Sequence, residues 1–303
     1  MTRVGLVGAG PWAAMFHAPM LAAAARLELT AVWARRGEAA DQLARRFGGE
    51  PAGSFDELLD RCDAVAFAVP PAVQAALAVA AAQRGRHLLL EKPVATTLED
   101  AERLAAAVDQ AGVITQLVLT LRYRPEVRAA LESVEPEVVR YVRGSYLGNS
   151  ALRGSPFATP WRREEPHAAL LDIGPHTVDL VEAVAGPVVE LRAATTGGVT
   201  TVSTVHEAGA LGQLVLSITV SDGPGGLELD WVTGLGYASL PNGTADDTVL
   251  WLTITDEFAA AIDSGEPHPL DVHHGLRLQR VLDAIARSAA TRRAVRVAPA
   301  ATP

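Results

Sequence analysis

The first 120 residues alternate short apolar runs with segments of helical periodicity. Runs at 3–7, 27–33, 64–69, 87–90 and 115–119 are brief and mostly apolar, and predict strands. Between them, 11–25, 39–47, 55–61, 73–84 and 98–111 predict helices. Parallel strands covered by helices on both faces read as continuous apolar runs, so this alternation predicts a doubly wound α/β domain. The stretch 64–82 is long enough to span a bilayer, but Pro70-Pro71 and Gln74 interrupt it and Ala supplies much of it. A buried strand, a turn and a helix explain it better than a membrane segment.

After Arg122-Tyr123-Arg124-Pro125 the texture changes. A helix at 126–131 leads into a strand at 138–146, a Gly/Ser/Pro-rich loop at 148–160 and a helix at about 171–185. Strand patterns follow at 188–193, 199–205, 211–220, 227–232 and 249–252, joined by Gly-rich turns such as 222–226. Consecutive strands with such turns predict a largely antiparallel sheet. Helices at 257–264 and 271–288 and a frayed tail at 298–303 complete the pattern. The expectation is two domains, 1–121 doubly wound and 122–303 α+β, which a length of 303 residues accommodates.

Composition narrows the picture. With 49% apolar and 20% charged residues the chain reads as an ordinary globular protein. A formal charge of −9 repels phosphate backbones, which argues against a nucleic-acid partner. Cys62 is alone, so neither an intrachain disulfide nor a cysteine zinc site is expected. Met1-Thr2-Arg3 runs straight into a strand pattern with no apolar signal core, and the expected location is cytoplasmic. Of the 26 basic residues 25 are Arg, leaving Lys92 as the only lysine. A compositional drift towards Ala, Gly and Arg removes any lysine that an Arg can replace. An ammonium can shift its pKa and serve proton chemistry where a guanidinium cannot, so Lys92 is a candidate functional residue.

Val7-Gly8-Ala9-Gly10-Pro11-Trp12-Ala13 places G-x-G-x-x-A between a predicted strand and a predicted helix. Gly8 permits the tight turn, Gly10 lets the backbone approach a pyrophosphate, and Ala13 allows close helix–strand packing. A dinucleotide is the expected ligand. At the end of the second strand, Trp33-Ala34-Arg35-Arg36-Gly37 has no acid before Glu38. NAD sites usually carry a carboxylate there for the ribose, whereas an Arg accommodates a 2′-phosphate. NADP is favoured over NAD, with Arg35 and Arg36 as solvated loop residues the rival explanation.

Lys92 stands in Leu90-Glu91-Lys92-Pro93, at the carboxyl end of a predicted parallel strand, where open α/β sheets bind ligands. In the second half, Asp172, His176 and Asp179 recur at i, i+4 and i+7 and predict one helical face, with Pro175 confined to a first turn. A His flanked by carboxylates suits general acid–base work near neutral pH. A structurally bonded His at a helix start is the plainer alternative. No metal is expected, because beyond His167 no further ligand lies near. His17 reads as packed or solvated, and His268, His273 and His274 as a surface cluster.

In this order and spacing, strand-G-x-G-x-x-A, Glu91-Lys92-Pro93 and Asp172-x-Gly174-x-His176-x-x-Asp179 resemble the glucose–fructose oxidoreductase / inositol dehydrogenase (Gfo/Idh/MocA) family. The resemblance covers most of the chain. It implies an N-terminal Rossmann domain, a C-terminal domain whose open sheet forms a homo-oligomer interface, and a nicotinamide between the domains. It implies hydride transfer on a small sugar, inositol or related alcohol or ketone. By likeness Lys92 and Glu91 touch the cofactor, as do Val69, Pro70 and Gln74, and Trp161-Arg162 borders the nicotinamide. Lys92, Asp172, His176 and His167 meet substrate, with Lys92 also touching the nicotinamide ribose, Asp172 orienting the substrate and His176 as acid/base. Two departures stand out: Gln74 replaces a frequent His, and His167-Ala168-Ala169 replaces a Gly-Gly pair, which reshapes the substrate wall. The alternatives are a non-catalytic dinucleotide-binding regulatory or partner protein, for which Lys92, Asp172 and His176 have no use, and a reductase of imines or double bonds.

Overall fold

The computed structural model describes residues 1–165, 167–223, 225–241 and 246–298. Of the expected turn at 222–226, position 224 lies outside the described residues, as does the expected tail beyond Ala298. The chain forms two compact units, Met1–Tyr123 with Ala245–Leu276, and Arg124–Thr244 with Arg277–Pro303.

In the first unit β1 (Thr2–Val7) leads through a glycine turn to a π turn (Ala13–His17) and α1 (Ala18–Ala23). β2 (Leu27–Trp33), α2 (Gly37–Phe47), β3 (Glu50–Pro51), α3 (Phe55–Asp60), β4 (Ala64–Phe67), α4 (Pro71–Gln83), β5 (His87–Leu90), α5 (Leu98–Ala111) and β6 (Thr115–Leu117) follow. All six strands are parallel, in the order β3-β2-β1-β4-β5-β6. This is the Rossmann order, with its reversal between β1 and β4. Every side chain of β4 is buried, which is why the central strands read as unbroken apolar runs. Ser54 and Thr97 cap α3 and α5 by accepting the amides of Glu57 and Asp100.

The second unit opens with α6 (Pro125–Glu132), β7 (Val139–Leu147), α7 (Pro160–Glu164), α8 (Ala168–Asp172) and α9 (Gly174–Ala185). β8 (Val188–Thr196), β9 (Val199–His206), β10 (Leu211–Ser217), β11 (Leu227–Thr233) and β12 (Tyr237–Ser239) come next. The chain ends through α10 (Asp247–Ser264), α11 (Val272–Thr291) and β13 (Val295–Arg296). The seven-stranded sheet runs β12-β11-β7-β10-β9-β8-β13 and is antiparallel except for the β7–β10 pair. One face is buried: Val142, Leu191, Val202, Leu214, Leu229 and Trp231 point inward, and α9 lies against β7, where Gly144 leaves room for the Thr177 methyl. The alternate residues Arg143, Thr201, Ser203, Leu211 and Val232 are exposed. Among the described residues one face of the sheet is thus apolar and buried and the other is exposed, as its strict alternation requires.

Two expected elements differ. Residues 249–252 read as a strand because Val249, Leu250, Trp251 and Leu252 are bulky and apolar, yet they lie in the first turns of α10. The buried set Leu250, Ile254, Phe258 and Ala261 has a spacing of four, four and three, which is a helix stripe, and this longer period wins over local β propensity. α10 packs in the first unit: Gln116 Nε2 donates to the Ile254 carbonyl at 3.0 Å, and Phe16 meets Trp251 edge-on. The helix expected at 171–185 is two helices, because Pro175 has no amide to continue the ladder and α9 restarts at Gly174.

Candidate active site

The glycine turn after β1 is built for close approach. Gly8 has φ +116, and a Cβ there would lie 2.3 Å from the Ala68 carbonyl oxygen and 3.1 Å from Val69 Cγ1. Position 8 therefore admits only glycine, and it sets Val69 beside the loop. At Gly10 a Cβ would find no heavy atom within 4 Å, so the loop faces open space at the start of the next helix. That is the cradle a dinucleotide diphosphate requires, and the residues present fit it. Pro11 is exposed, Trp12 half-buried and Ala13 fully buried, which keeps the helix tight against the sheet. Beyond β2, Ala34 is half-buried, while Arg35 and Arg36 are exposed and make no ion pair among the described residues.

Lys92 lies two residues beyond the end of β5, half-buried, with a cis bond to Pro93. The turn that carries it is held from two sides. Gln74, fully buried on α4, accepts the Glu91 amide at 2.9 Å and donates to the carbonyls of Glu91 at 2.7 Å and Pro93 at 3.1 Å. Its carboxamide is therefore engaged by the Lys92 turn, a job the sequence did not disclose; Pro70 before it stays exposed. Glu91, 8% exposed, accepts the Trp12 indole N–H at 2.6 Å and lies 2.8 Å from His17 Nε2 through Oε1, while its Oε2 accepts the Lys92 amide at 3.2 Å. Gln74→Ala leaves the Glu91 amide and the two carbonyls buried and unpaired, with an expected loss of roughly 2 to 4 kcal/mol, read as a lower urea midpoint.

In the second unit Asp172 closes α8 and Ile173, still in the helical region, separates it from α9. Asp172, His176 and Asp179 are all buried. Arg162 of α7 forks onto Asp172, Nε to Oδ2 at 2.8 Å and Nη2 to Oδ1 at 2.9 Å, and Ser150 Oγ donates to Oδ2 at 2.7 Å. The guanidinium lies over the Trp161 ring at 4.4 Å and also donates to the Phe157 carbonyl and to Thr159 Oγ1. The planar fork matches a carboxylate and fixes its plane. Burial first, and the Asp172 charge second, raise the Tyr146 phenol above its ordinary pKa, so it stays a donor. Arg162 was expected as a cofactor residue; its guanidinium is engaged with Asp172. Ser150 and Tyr146 carried no sequence signal.

His167 is exposed and lines a cavity of about 290 Å³ with Arg162, Ala169, Thr195, Thr219 and Ile285, all in the second unit. His268, expected on the surface, is buried against Glu257 at 3.2 Å, whereas His273 pairs with Asp109 in the open. Among the described residues no group of three or more His, Cys, Asp or Glu could hold a metal ion, and no helix is long and apolar enough to cross a membrane.

Comparison with known proteins adds independent findings. Residues 2–118 match the Gfo/Idh/MocA model described as "Oxidoreductase family, NAD-binding Rossmann fold". The chain is 32% identical over 179 residues to dTDP-3,4-didehydro-2,6-dideoxy-alpha-D-glucose 3-reductase of Actinomadura kijaniata, covering 58% of this chain and 54% of the relative. It is 33% identical over 159 residues to levoglucosan dehydrogenase of Pseudarthrobacter phenanthrenivorans, covering 49% of this chain and 40% of the relative. The chain thus spans about half the length of these curated relatives, 54% of the first and 40% of the second. A levoglucosan dehydrogenase in complex with NADH and L-sorbose has the same fold, with a TM-score of 0.87 at 21% identity over 99% of both chains.

Proposed function

We propose that this chain, whose residues 2–118 match the Gfo/Idh/MocA oxidoreductase model with its NAD-binding Rossmann fold, is an NADP-preferring enzyme of that family acting on a CH–OH group of a sugar, an inositol or a related ketone. One observation carries the reading: the only lysine of the chain sits on a turn clamped by buried Gln74 and Glu91 at the carboxyl edge of the parallel sheet. Ligands of open α/β sheets bind at that edge. The names of the relatives, a sugar reductase and a sugar dehydrogenase among them, supply the substrate class.

When bound, the nicotinamide supplies the hydride acceptor or donor. The residues of the chain do the rest. Gly8 and Gly10 admit the diphosphate, and Arg35 and Arg36 meet a 2′-phosphate. His176 takes the proton of the substrate hydroxyl during oxidation and returns it in reduction. The Lys92 ammonium donates to the developing alkoxide and favours its charge. Asp172, oriented by Arg162 and Ser150, fixes the substrate beside the imidazole. A cytoplasmic, reducing setting fits the lone buried Cys62. The uncovered face of the seven-stranded sheet, with exposed Leu211, Val205 and Val232, supports a homo-oligomer formed through it.

A thermal-shift series tests the reading. NADPH is expected to raise the melting temperature more than NADH at equal concentration, and a sugar or inositol to raise it further only in the cofactor-saturated protein. Arg35→Ala should cost about 1 to 2 kcal/mol of NADPH affinity and leave NADH binding unchanged. Tighter binding of NADH than of NADPH by the unmodified protein refutes the cofactor preference. The absence of a shift with either dinucleotide refutes the enzyme.

A further inference from the structure

His17 is a buried imidazole that the proposed chemistry does not use. It is fully inaccessible, and its Nδ1 has no hydrogen-bond partner among the described residues. Its polar engagement is through Nε2, 2.8 Å from Glu91 Oε1. A carboxylate only accepts, so Nε2 carries the proton and donates. The same oxygen accepts the Trp12 indole N–H at 2.6 Å.

Trp12 and His17 are five residues apart. On an α-helix such residues point about 140° away from each other. Here the helix widens: the Ala18 amide donates to the Ala13 carbonyl five residues back, the signature of a π turn. In that turn residues five apart come to the same side, which lets both side chains reach one oxygen. Phe16 braces the arrangement, stacked on Trp12 at 4.5 Å with its ring plane within 6° and edge-on to His17 at 5.5 Å. The other oxygen of Glu91 accepts the Lys92 amide.

We propose that Trp12 and His17 are positioning residues for Lys92, acting through Glu91: the π turn that follows the dinucleotide loop locks the carboxylate, and the carboxylate locks the lysine turn. The π turn begins within the G-x-G-x-x-A segment, so the link joins the diphosphate-facing loop to the ammonium. This assignment rests on Lys92 being the working amine, but it can be tested without turnover.

Because Lys92 is the only lysine, an amine-acylating reagent with peptide mass analysis reports on its side chain alone, the N-terminal amine falling in a different peptide. His17→Leu removes the Nε2 donor. Trp12→Phe removes the indole N–H, keeps an aromatic ring against Phe16, and alters a half-buried position that folding tolerates. His17→Gln restores a donor at similar reach. With the turn loosened, Lys92 is expected to be acylated about threefold faster or more in His17→Leu and Trp12→Phe, and in His17→Gln to return to within about twofold of the parent rate. Turnover should fall roughly tenfold or more in His17→Leu, with dinucleotide affinity changed much less.

Unchanged or slower acylation in both Trp12→Phe and a folded His17→Leu overturns the proposal, as does His17→Gln behaving like His17→Leu. If His17→Leu does not fold, Trp12→Phe decides alone. Full turnover by Lys92→Ala removes the catalytic reading of Lys92, while the acylation rates still report whether Trp12 and His17 position it.

Discussion

Lys92→Ala is expected to lower turnover by roughly a hundredfold or more, the usual cost of removing a donor aimed at a developing oxyanion. Lys92→Arg is the more discriminating variant. It keeps the positive charge but replaces a compact ammonium by a planar, larger and permanently protonated group. The turn has little freedom to adjust: Gln74 holds the main chain of Glu91 and Pro93, and Glu91 holds the Lys92 amide. A guanidinium on that fixed backbone overshoots the point an ammonium reaches. Turnover of Lys92→Arg should therefore fall about tenfold or more, while dinucleotide affinity, followed by fluorescence titration, stays within about threefold. A chain in which 25 of 26 basic residues are already Arg gives that substitution a clear meaning. An Arg variant with the parent turnover number would show that Lys92 supplies charge alone, and the assigned role would be lost.

The first unit was legible in the sequence because burial on both faces of a parallel sheet leaves its mark residue by residue. The runs containing Val4, Val7, Ala64–Phe67 and Leu88–Leu90 can be apolar throughout only if helices cover both sides. The glycine turn was equally legible, since Gly8 has a positive φ and a carbonyl where a side chain would stand. The lone lysine and the Asp172–His176 spacing marked candidate residues, but not how they are held. Arg162 reaches Asp172 across a helix boundary, and Ser150 comes from a loop with no regular period. The link from His17 to Glu91 depends on a π turn, and no residue pattern distinguishes its five-residue step from the α-helical one. Trp251 and its neighbours misled in the opposite direction. Their bulk favours a strand locally, whereas the helix is set by a stripe that continues to Ala261. The parallel β7–β10 pair was illegible too, because α7, α8, α9 and two strands intervene between its members.

His176→Asn is expected to reduce kcat by roughly a hundredfold to ten-thousandfold, the range for loss of a general acid–base group. The site favours this variant over more drastic ones. His176 lies in the first turn of α9, 7% exposed, on a helix that approaches α11 so closely that a Cβ at Gly174 would meet Leu282 Cδ2 at 2.8 Å. Asn keeps a polar group of similar reach in that confined space, so the fold should survive and the lost property is proton transfer. Oxidation of an alcohol releases a hydroxyl proton, and a neutral imidazole can take it where a carboxamide cannot. The loss in this variant should therefore fall on kcat in the oxidative direction, with KM for substrate changed much less. Asp172→Asn provides the contrast. It retains a hydrogen-bonding group but weakens the Arg162 fork, and should raise KM for substrate while changing kcat much less. Steady-state kinetics of both variants in the oxidative direction separate the roles: a kcat near the parent value in His176→Asn assigns the proton to another group and removes His176 from the chemistry.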